Sequence, residues 1–253
     1  MTQFPSAPWR ILPLSPASAA LNMAIDEAVS RAVASGGPPT IRFYTWNPSA
    51  VSIGTFQCLD DEVSRAFCSS NGIDIVRRIT GGGAVYHDRA GEVTYSVIAP
   101  QKFFGGITES YREICGWLIS GLAALGLQAE FKPINDILVA GKKVSGNAQT
   151  RRNSVLLQHG TVLYDLDVRT MFSCLKVPKE KISDKLIASV EERVSRVKDH
   201  APQATLQSTY EALLKGFTAN KAWQFGALTP TELSMAQNLV RNKYGTEEWV
   251  ARR

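Results

Sequence analysis

The sequence predicts an α+β fold, a mixed, largely antiparallel sheet flanked by helices. Short runs rich in β-branched and aromatic residues cluster centrally and are joined by brief turns, which favours hairpins over long crossovers. Helical spacing dominates before that region and again from Val168 onward. No Pro/Gly/Ser-rich linker divides the 253 residues, so one domain over 1–253 is expected, with a helical C-terminal portion over about 200–253. Hydrophobic residues at 44% against charged residues at 20% give enough apolar material for a packed core.

Each element has its own signal. Leu21, Ala24, Ile25, Ala28, Val29, Ala32 and Val33 recur at helical spacing, predicting a helix over 18–35 with Ser18 as N-cap and Gly36-Gly37 as the stop. Ile41–Trp46 and Ala50–Ile53 read as strands around an Asn47-Pro48-Ser49 turn. A short helix over 60–69 should lead through Asn71-Gly72 to a strand at 73–79, and 93–99 reads as another strand. Ser110 and Glu113 have capping-box spacing for a helix over 109–126, whose apolar face carries Ile114, Trp117, Leu118, Gly121, Leu122 and Leu125. Residues 129–165 alternate short β-like runs with turns. Helices are then expected over about 168–175, 180–197, 205–219 and 230–243, the last with Thr229 as N-cap, Pro230 at its first position and Glu232 completing a capping box.

Composition narrows the function classes. With 28 Lys plus Arg against 23 Asp plus Glu, the net charge is +5, basic but too mild to imply nucleic acid. The most apolar stretch, 114–127, is shorter than the roughly 20 residues of a membrane span. Pro5, Pro8, Pro13 and Pro16 interrupt any signal-peptide core. The four cysteines, at 58, 68, 115 and 174, show neither CxxC pairing nor metal-ligand spacing and fit a reducing cytoplasm.

The strongest chemical signal is RRITGGGAVYHD, Arg77 to Asp88. Three glycines leave a backbone able to turn its N–H groups onto an anion, and the arginines add forked donors for phosphate or carboxylate. A plain glycine-rich hairpin is the bland alternative. The loop is neither GxxxxGK[ST] nor a helix-opening GxGxxG. A second signal is NDILVAGKKVSGNAQTRR, Asn135 to Arg152, in which an extended chain would point Lys142 and Lys143 to opposite faces, so that only one serves a site.

In these motifs, and in LNMAIDEA (21–28), RFY (42–44), VSIGTFQ (51–57), LQHGTVLYDLD (157–167) and LKVPKEKISDKLIASVEERV (175–194), the chain resembles the lipoate–protein ligase A family of the biotin/lipoate protein ligase fold group. The resemblance covers most of the chain and implies that fold. It also implies ATP-dependent activation of lipoate or octanoate to an acyl-adenylate, then transfer to one lysine of a lipoyl-domain acceptor, with Mg2+ accompanying the ATP. Carried over by motif, Arg78, Gly83, Ala84, Val85 and Tyr86 would contact ATP and the adenylate, with Asp136 nearby. Arg77, Gly81, Gly82 and His87 would line the acyl channel. Lys143 would sit between acyl carbonyl and α-phosphate, where a fixed ammonium offsets charge building between two anions.

Taken alone, His87 reads as bonding Asp88 in its turn or as orienting substrate, Asp136 as a turn cap or a ligand contact, and His159 as packing or positioning. His200 carries no signal, and the tryptophans read as core.

The same fold group includes octanoyl- and lipoyl-transferases that use a thiol nucleophile and no ATP. One type has cysteine three residues before the histidine of the HG pair, where this chain has Leu156. Another places it in the loop ahead of the lysine motif, here 132–136, which contains none. With both slots empty the sequence is expected to be the ligase, the alternatives being a thiol acyltransferase or a non-catalytic lipoyl-binding module. Its end at Arg253, shortly after the Lys243–Trp249 segment that resembles the close of the catalytic domain, leads to the further expectation of a separate accessory protein in place of a C-terminal domain.

Overall fold

The computed structural model describes residues 8–176 and 192–253. Its first strand, β1 (Trp9–Ala17), is one that Pro13 and Pro16 argue against. The ladder to the next strand is interrupted between Leu12 and Ser15, and Pro13 falls in that irregularity, where its missing N–H costs no pairing. Helix α1 (Ala19–Ala34) starts as expected, with the Ser18 side chain accepting from the Leu21 N–H. There follow β2 (Thr40–Trp46), β3 (Ala50–Ile53), α2 (Leu59–Glu62), α3 (Arg65–Ser70), β4 (Asp74–Arg77), β5 (Val85–His87) and β6 (Glu92–Pro100). The helix expected over 60–69 is thus two pieces. They break at Val63, which is extended and bridges to Leu175.

Helix α4 (Ile107–Ala123) begins two residues before its predicted start, with Gly106 at the N-cap. The expected Ser110/Glu113 capping box is corrected: the Ser110 hydroxyl donates back to the Ile107 carbonyl and meets Gln149. A meander of β7 (Ala129–Lys132), β8 (Asp136–Val139), β9 (Lys142–Arg152) and β10 (Val155–Leu163) follows, then α5 (Val168–Cys174). The helix expected over 180–197 falls largely outside the described residues. Beyond it lie α6 (Val197–His200), α7 (Leu206–Thr218), β11 (Trp223–Phe225), α8 (Pro230–Leu239) and, after a π turn, α9 (Glu247–Val250). No pattern in the sequence announced β11.

The main sheet runs β11-β1-β2-β6-β10-β9-β8-β7, parallel at β11-β1-β2 and antiparallel elsewhere, so the sheet is mixed and largely antiparallel as predicted. A smaller sheet, β4-β3-β5, stands beside it. Every residue of β2 is buried, because helices cover both faces. On one face Phe43, Tyr95 and Val97 pack with Ile114 and Leu118 of α4 and Phe217 of α7. On the other Tyr44, Trp46, Ile98 and Leu157 pack with Met23 and Ala24 of α1 and with Ala236 and Leu239 of α8.

Helix α8 is fastened to β1 by one buried carboxylate. Glu232 accepts the Thr229 N–H at 2.8 Å, completing the capping box, and takes Arg10 in a fork at 2.7 and 2.8 Å. Removing one member of such a pair leaves the other charge stranded in the core. Glu232→Ala should therefore cost about 3 kcal/mol or more, read as a lower urea midpoint at unchanged slope. The double variant Arg10→Met/Glu232→Leu should recover most of that loss.

Candidate functional site

The two sheets and α5 wall a cavity of about 340 Å3. Met23, Trp46, Leu163, Leu166 and Met171 give it apolar sides, and Ser52, Arg78, His87, Asn147, His159 and Lys143 converge on it from the polar side. A small apolar chamber with a few aimed polar groups suits a short acyl chain ending in a reactive carbonyl.

The glycine loop forms one wall by sitting directly on the end of β3. A Cβ on Gly54 would lie 2.1 Å from the Gly82 carbonyl oxygen, and Gly82 itself has φ +99°, so neither position accepts a side chain without moving the loop. The arch is held from within by Arg78. Its guanidinium donates to the Ser52 carbonyl and hydroxyl at 3.0 and 3.1 Å and to the Gly81 and Gly83 carbonyls at 3.0 and 2.7 Å. Burial pulls its pKa down to about 10, still far above neutrality. Arg78 is a crossbar of the loop.

A fully buried polar network underlies the cavity. Asp26 of α1 pairs with Arg42 of β2 at 2.9 Å and accepts from Ser96 of β6 at 2.7 Å. Arg42 also donates to the Asn22 carbonyl and side chain, and stacks over Tyr44. His159 of β10 meets Asp26 at 3.4 Å through Nδ1 and Thr80 at 2.8 Å through Nε2. Burial by itself would raise the Asp26 pKa, but the hydrogen bond from His159 and the charge of Arg42 hold it below the usual carboxylate value. Burial keeps His159 below 6.5 and hence neutral at pH 7. An ionised Asp26 only accepts, so Nδ1 carries the proton and Nε2 accepts from Thr80, tying the base of the glycine loop to the core.

His87 does not bond Asp88, as its sequence neighbourhood suggested. Its Nε2 lies 2.8 Å from Ser52 Oγ and its Nδ1 2.7 Å from Glu92 Oε1. The ring stacks on Trp46 with centroids 3.9 Å apart, and the Trp46 indole donates to Thr94, which donates to the same Glu92 oxygen.

Lys143 reaches the cavity through a bulge. The β8–β9 register shifts between Ile137 and Leu138, which pair with Ser145 and Lys143 and leave Val144 as the extra residue. Lys143 lines the cavity and pairs with Asp136 at 2.7 Å, while Lys142 lines a separate groove. A Cβ on Gly146 would meet the Lys143 Cε and Nζ at 2.9 Å, so that glycine makes room for the lysine's path.

Of the residues singled out from sequence, Arg78, Gly82, Gly83, Ala84, Val85, Tyr86, His87 and Lys143 line this cavity. Gly81 and Asp136 stand behind it, contacting Arg78 and Lys143. Arg77 is corrected as a channel residue. It is fully buried elsewhere, donating to the Gly54, Gln57, Trp249 and Val250 carbonyls and so fastening α9 to β4. Both arginines that suggested anion binding thus hold backbone carbonyls. Among the described residues no group of three or more His, Cys, Asp or Glu could hold a metal ion. Sequence reading missed Ser52, Asn147 and Asp26, which sit in segments that read only as strand or helix.

The model of the lipoyl protein ligase A/B catalytic domain matches residues 18–218. The chain belongs to that family. The family's fold is also that of a bipartite lipoate protein ligase from Thermoplasma acidophilum, 34% identical at a TM-score of 0.88 over 96% of each chain. A structure of lipoate-protein ligase A bound with ATP superposes at a TM-score of 0.85, with 32% identity over 97% of this chain and 99% of the other. The similar curated proteins carry a different activity. Octanoyltransferase LipM of Brevibacillus brevis is 37% identical and that of Kyrpidia tusciae 39%, each over 97% of this chain and 99% of the relative. That finding overturns the expected ATP-dependent ligase reading. The enzyme is a member of the lipoate ligase/transferase family, related over its length to octanoyltransferases. No helix among its described residues is long and apolar enough to cross a membrane.

Burial of His159, which outweighs its contact with Asp26, gives this lipoyl ligase/transferase family member a measurable pH dependence. The unfolded chain binds a proton at His159 near pH 6.5, whereas the folded chain keeps the ring neutral to lower pH, so stability is full above 6.5 and declines as pH falls below it. The slope approaches roughly 1.4 kcal/mol per pH unit for this one group. Thermal melts from pH 7.5 to 5 should show the decline, and His159→Gln should flatten it.

Proposed function

We propose that this chain transfers an octanoyl or lipoyl group from an activated thioester donor to the ε-amino group of a lysine on a lipoyl-domain acceptor. The observation that carries the reading is end-to-end similarity to proteins named octanoyltransferase. The cavity supports it, with apolar walls for the hydrocarbon and Lys143 among the polar groups that line it. Each methylene buried there contributes about 0.8 kcal/mol, so seven or so carbons supply most of the donor's binding. Lys143, steadied by Asp136, supplies positive charge where a tetrahedral intermediate gathers negative charge on oxygen.

The thiol that the transferase alternative calls for has no place in the cavity. None of the four cysteines lines it. Cys115 lies in the core, where burial pushes its thiol up to about 12, and Cys68 and Cys174 are buried between α3 and α5. Leu156 is wholly buried in the core. The acyl transfer proposed here therefore calls on no cysteine.

The test supplies the protein with an octanoyl-carrier thioester and an unmodified lipoyl domain, with no nucleotide present. Octanoyl-lysine should form, as read by intact mass. Lys143→Ala should reduce kcat/KM about 10²-fold, the scale for one preorganised donor, whereas Lys142→Ala should stay near wild type. Modification only from free acid plus ATP, with none from the thioester, would overturn this reading.

A further inference from the structure

We propose that Ser52, His87 and Glu92 form a nucleophilic triad and that Ser52 Oγ carries the acyl group as an ester between donor and acceptor. The inference rests on the acyl-transfer reading and supplies the nucleophile that the absence of a cavity thiol leaves open.

The geometry is that of a serine hydrolase relay on an unrelated scaffold. Ser52 Oγ stands 2.8 Å from His87 Nε2, and His87 Nδ1 stands 2.7 Å from Glu92 Oε1. Hydrogen-bond arithmetic fixes the protons. Arg78 only donates, and at 3.1 Å it occupies an acceptor site on Ser52 Oγ, so the serine's own proton points at His87. An ionised Glu92 only accepts, so Nδ1 carries the ring proton and Nε2 is the free base. Stacking on Trp46 at 16° between planes holds the ring in that orientation.

Burial makes these groups more than a surface hydrogen-bond chain. Glu92 is 0% exposed, and its Oε2 has no hydrogen-bond partner among the described residues. A buried carboxylate so poorly satisfied is costly in a resting core, and a positive charge arising on the adjoining imidazole offsets that cost. Such a charge arises when His87 takes the serine proton. Ser52 and His87 both line the acyl cavity, and the Arg78 guanidinium beside Oγ stabilises the alkoxide character that develops there.

The reaction balances in two displacements. Ser52 Oγ attacks the thioester carbonyl carbon as its proton passes to His87 Nε2. The C–S bond breaks, and His87 returns that proton to the departing thiolate, which leaves as free thiol. The acceptor lysine amine, entering uncharged, then attacks the ester carbonyl and gives a proton to His87. The C–Oγ bond breaks, the proton passes to Ser52, and an amide and free enzyme remain. No redox partner or nucleotide enters.

The experiment uses octanoyl-pantetheine as donor. Wild-type protein without acceptor should accumulate one octanoyl group. It should map to the peptide bearing Ser52 and survive neutral hydroxylamine, as an oxygen ester does and a thioester does not. Replacing all four cysteines should leave that adduct in place. Ser52→Ala should form no adduct and transfer at least about 10²-fold more slowly. Ser52→Cys, which keeps the fold's contacts, should give an adduct that neutral hydroxylamine removes. Wild-type transfer that persists unchanged in Ser52→Ala, or an adduct on cysteine or lysine, would overturn the triad and leave the transferase reading standing. Failure of wild type to transfer from any thioester would overturn both.

Discussion

The ion pair between Asp26 and Arg42 is the constraint on which the rest of the site depends. Two opposite charges, each 2% exposed, sit where α1 crosses the central strands. Their separation from water is offset only because the surrounding groups are complete: Asn22 and Ser96 satisfy the pair from α1 and β6, and Tyr44 stacks on the guanidinium. The network specifies one position of α1 over the sheet, since a shift of one residue along the helix would strand a charge. Through His159 and Thr80 the same network reaches the base of the glycine loop, so the cavity wall takes its position from the core.

The loop follows the same logic of internal satisfaction. A run of three glycines is entropically expensive to order and gains nothing from side-chain packing. Here Arg78 supplies the missing enthalpy by donating to the carbonyls of Gly81 and Gly83, while Gly54 lets the arch rest on β3. An arginine beside a glycine triplet suggests an anion site, yet a buried guanidinium needs several acceptors, and backbone carbonyls satisfy that need as well as a phosphate does. The two arginines of the motif therefore read as architecture once their partners are known.

That reallocation bears on chemistry. Arg78 is held by backbone carbonyls and the Ser52 hydroxyl, while Lys143 stands on the cavity wall paired with Asp136. In the proposed transfer, negative charge gathers on one carbonyl oxygen, and the Lys143 ammonium would offset it. The thiols, by contrast, are placed for packing: Cys115 lies among Ile114, Leu118 and Leu122 on α4, and burial raises its pKa away from reactivity.

The sequence by itself determined whatever depends on neighbours a few residues apart. The Ser18 and Thr229 caps, the apolar face of α4, the strands at 41–46 and 50–53, and the glycine loop all rest on local spacing, and the structure has them. Local alternation separated Lys142 from Lys143, the family resemblance singled out Lys143, and the structure has it on the cavity wall. Tertiary structure decided the rest. β1 escaped notice because Pro13 is tolerated only at an interruption that the partner strand defines, and β11 because three residues pair only when β1 offers an edge. Arg77 lost its place in the channel to carbonyls more than 170 residues away. Ser52, His87 and Glu92 meet because β3 pairs antiparallel with β5 and Glu92 opens β6. That conjunction involves residues 35 and 5 positions apart, and no local pattern encodes it.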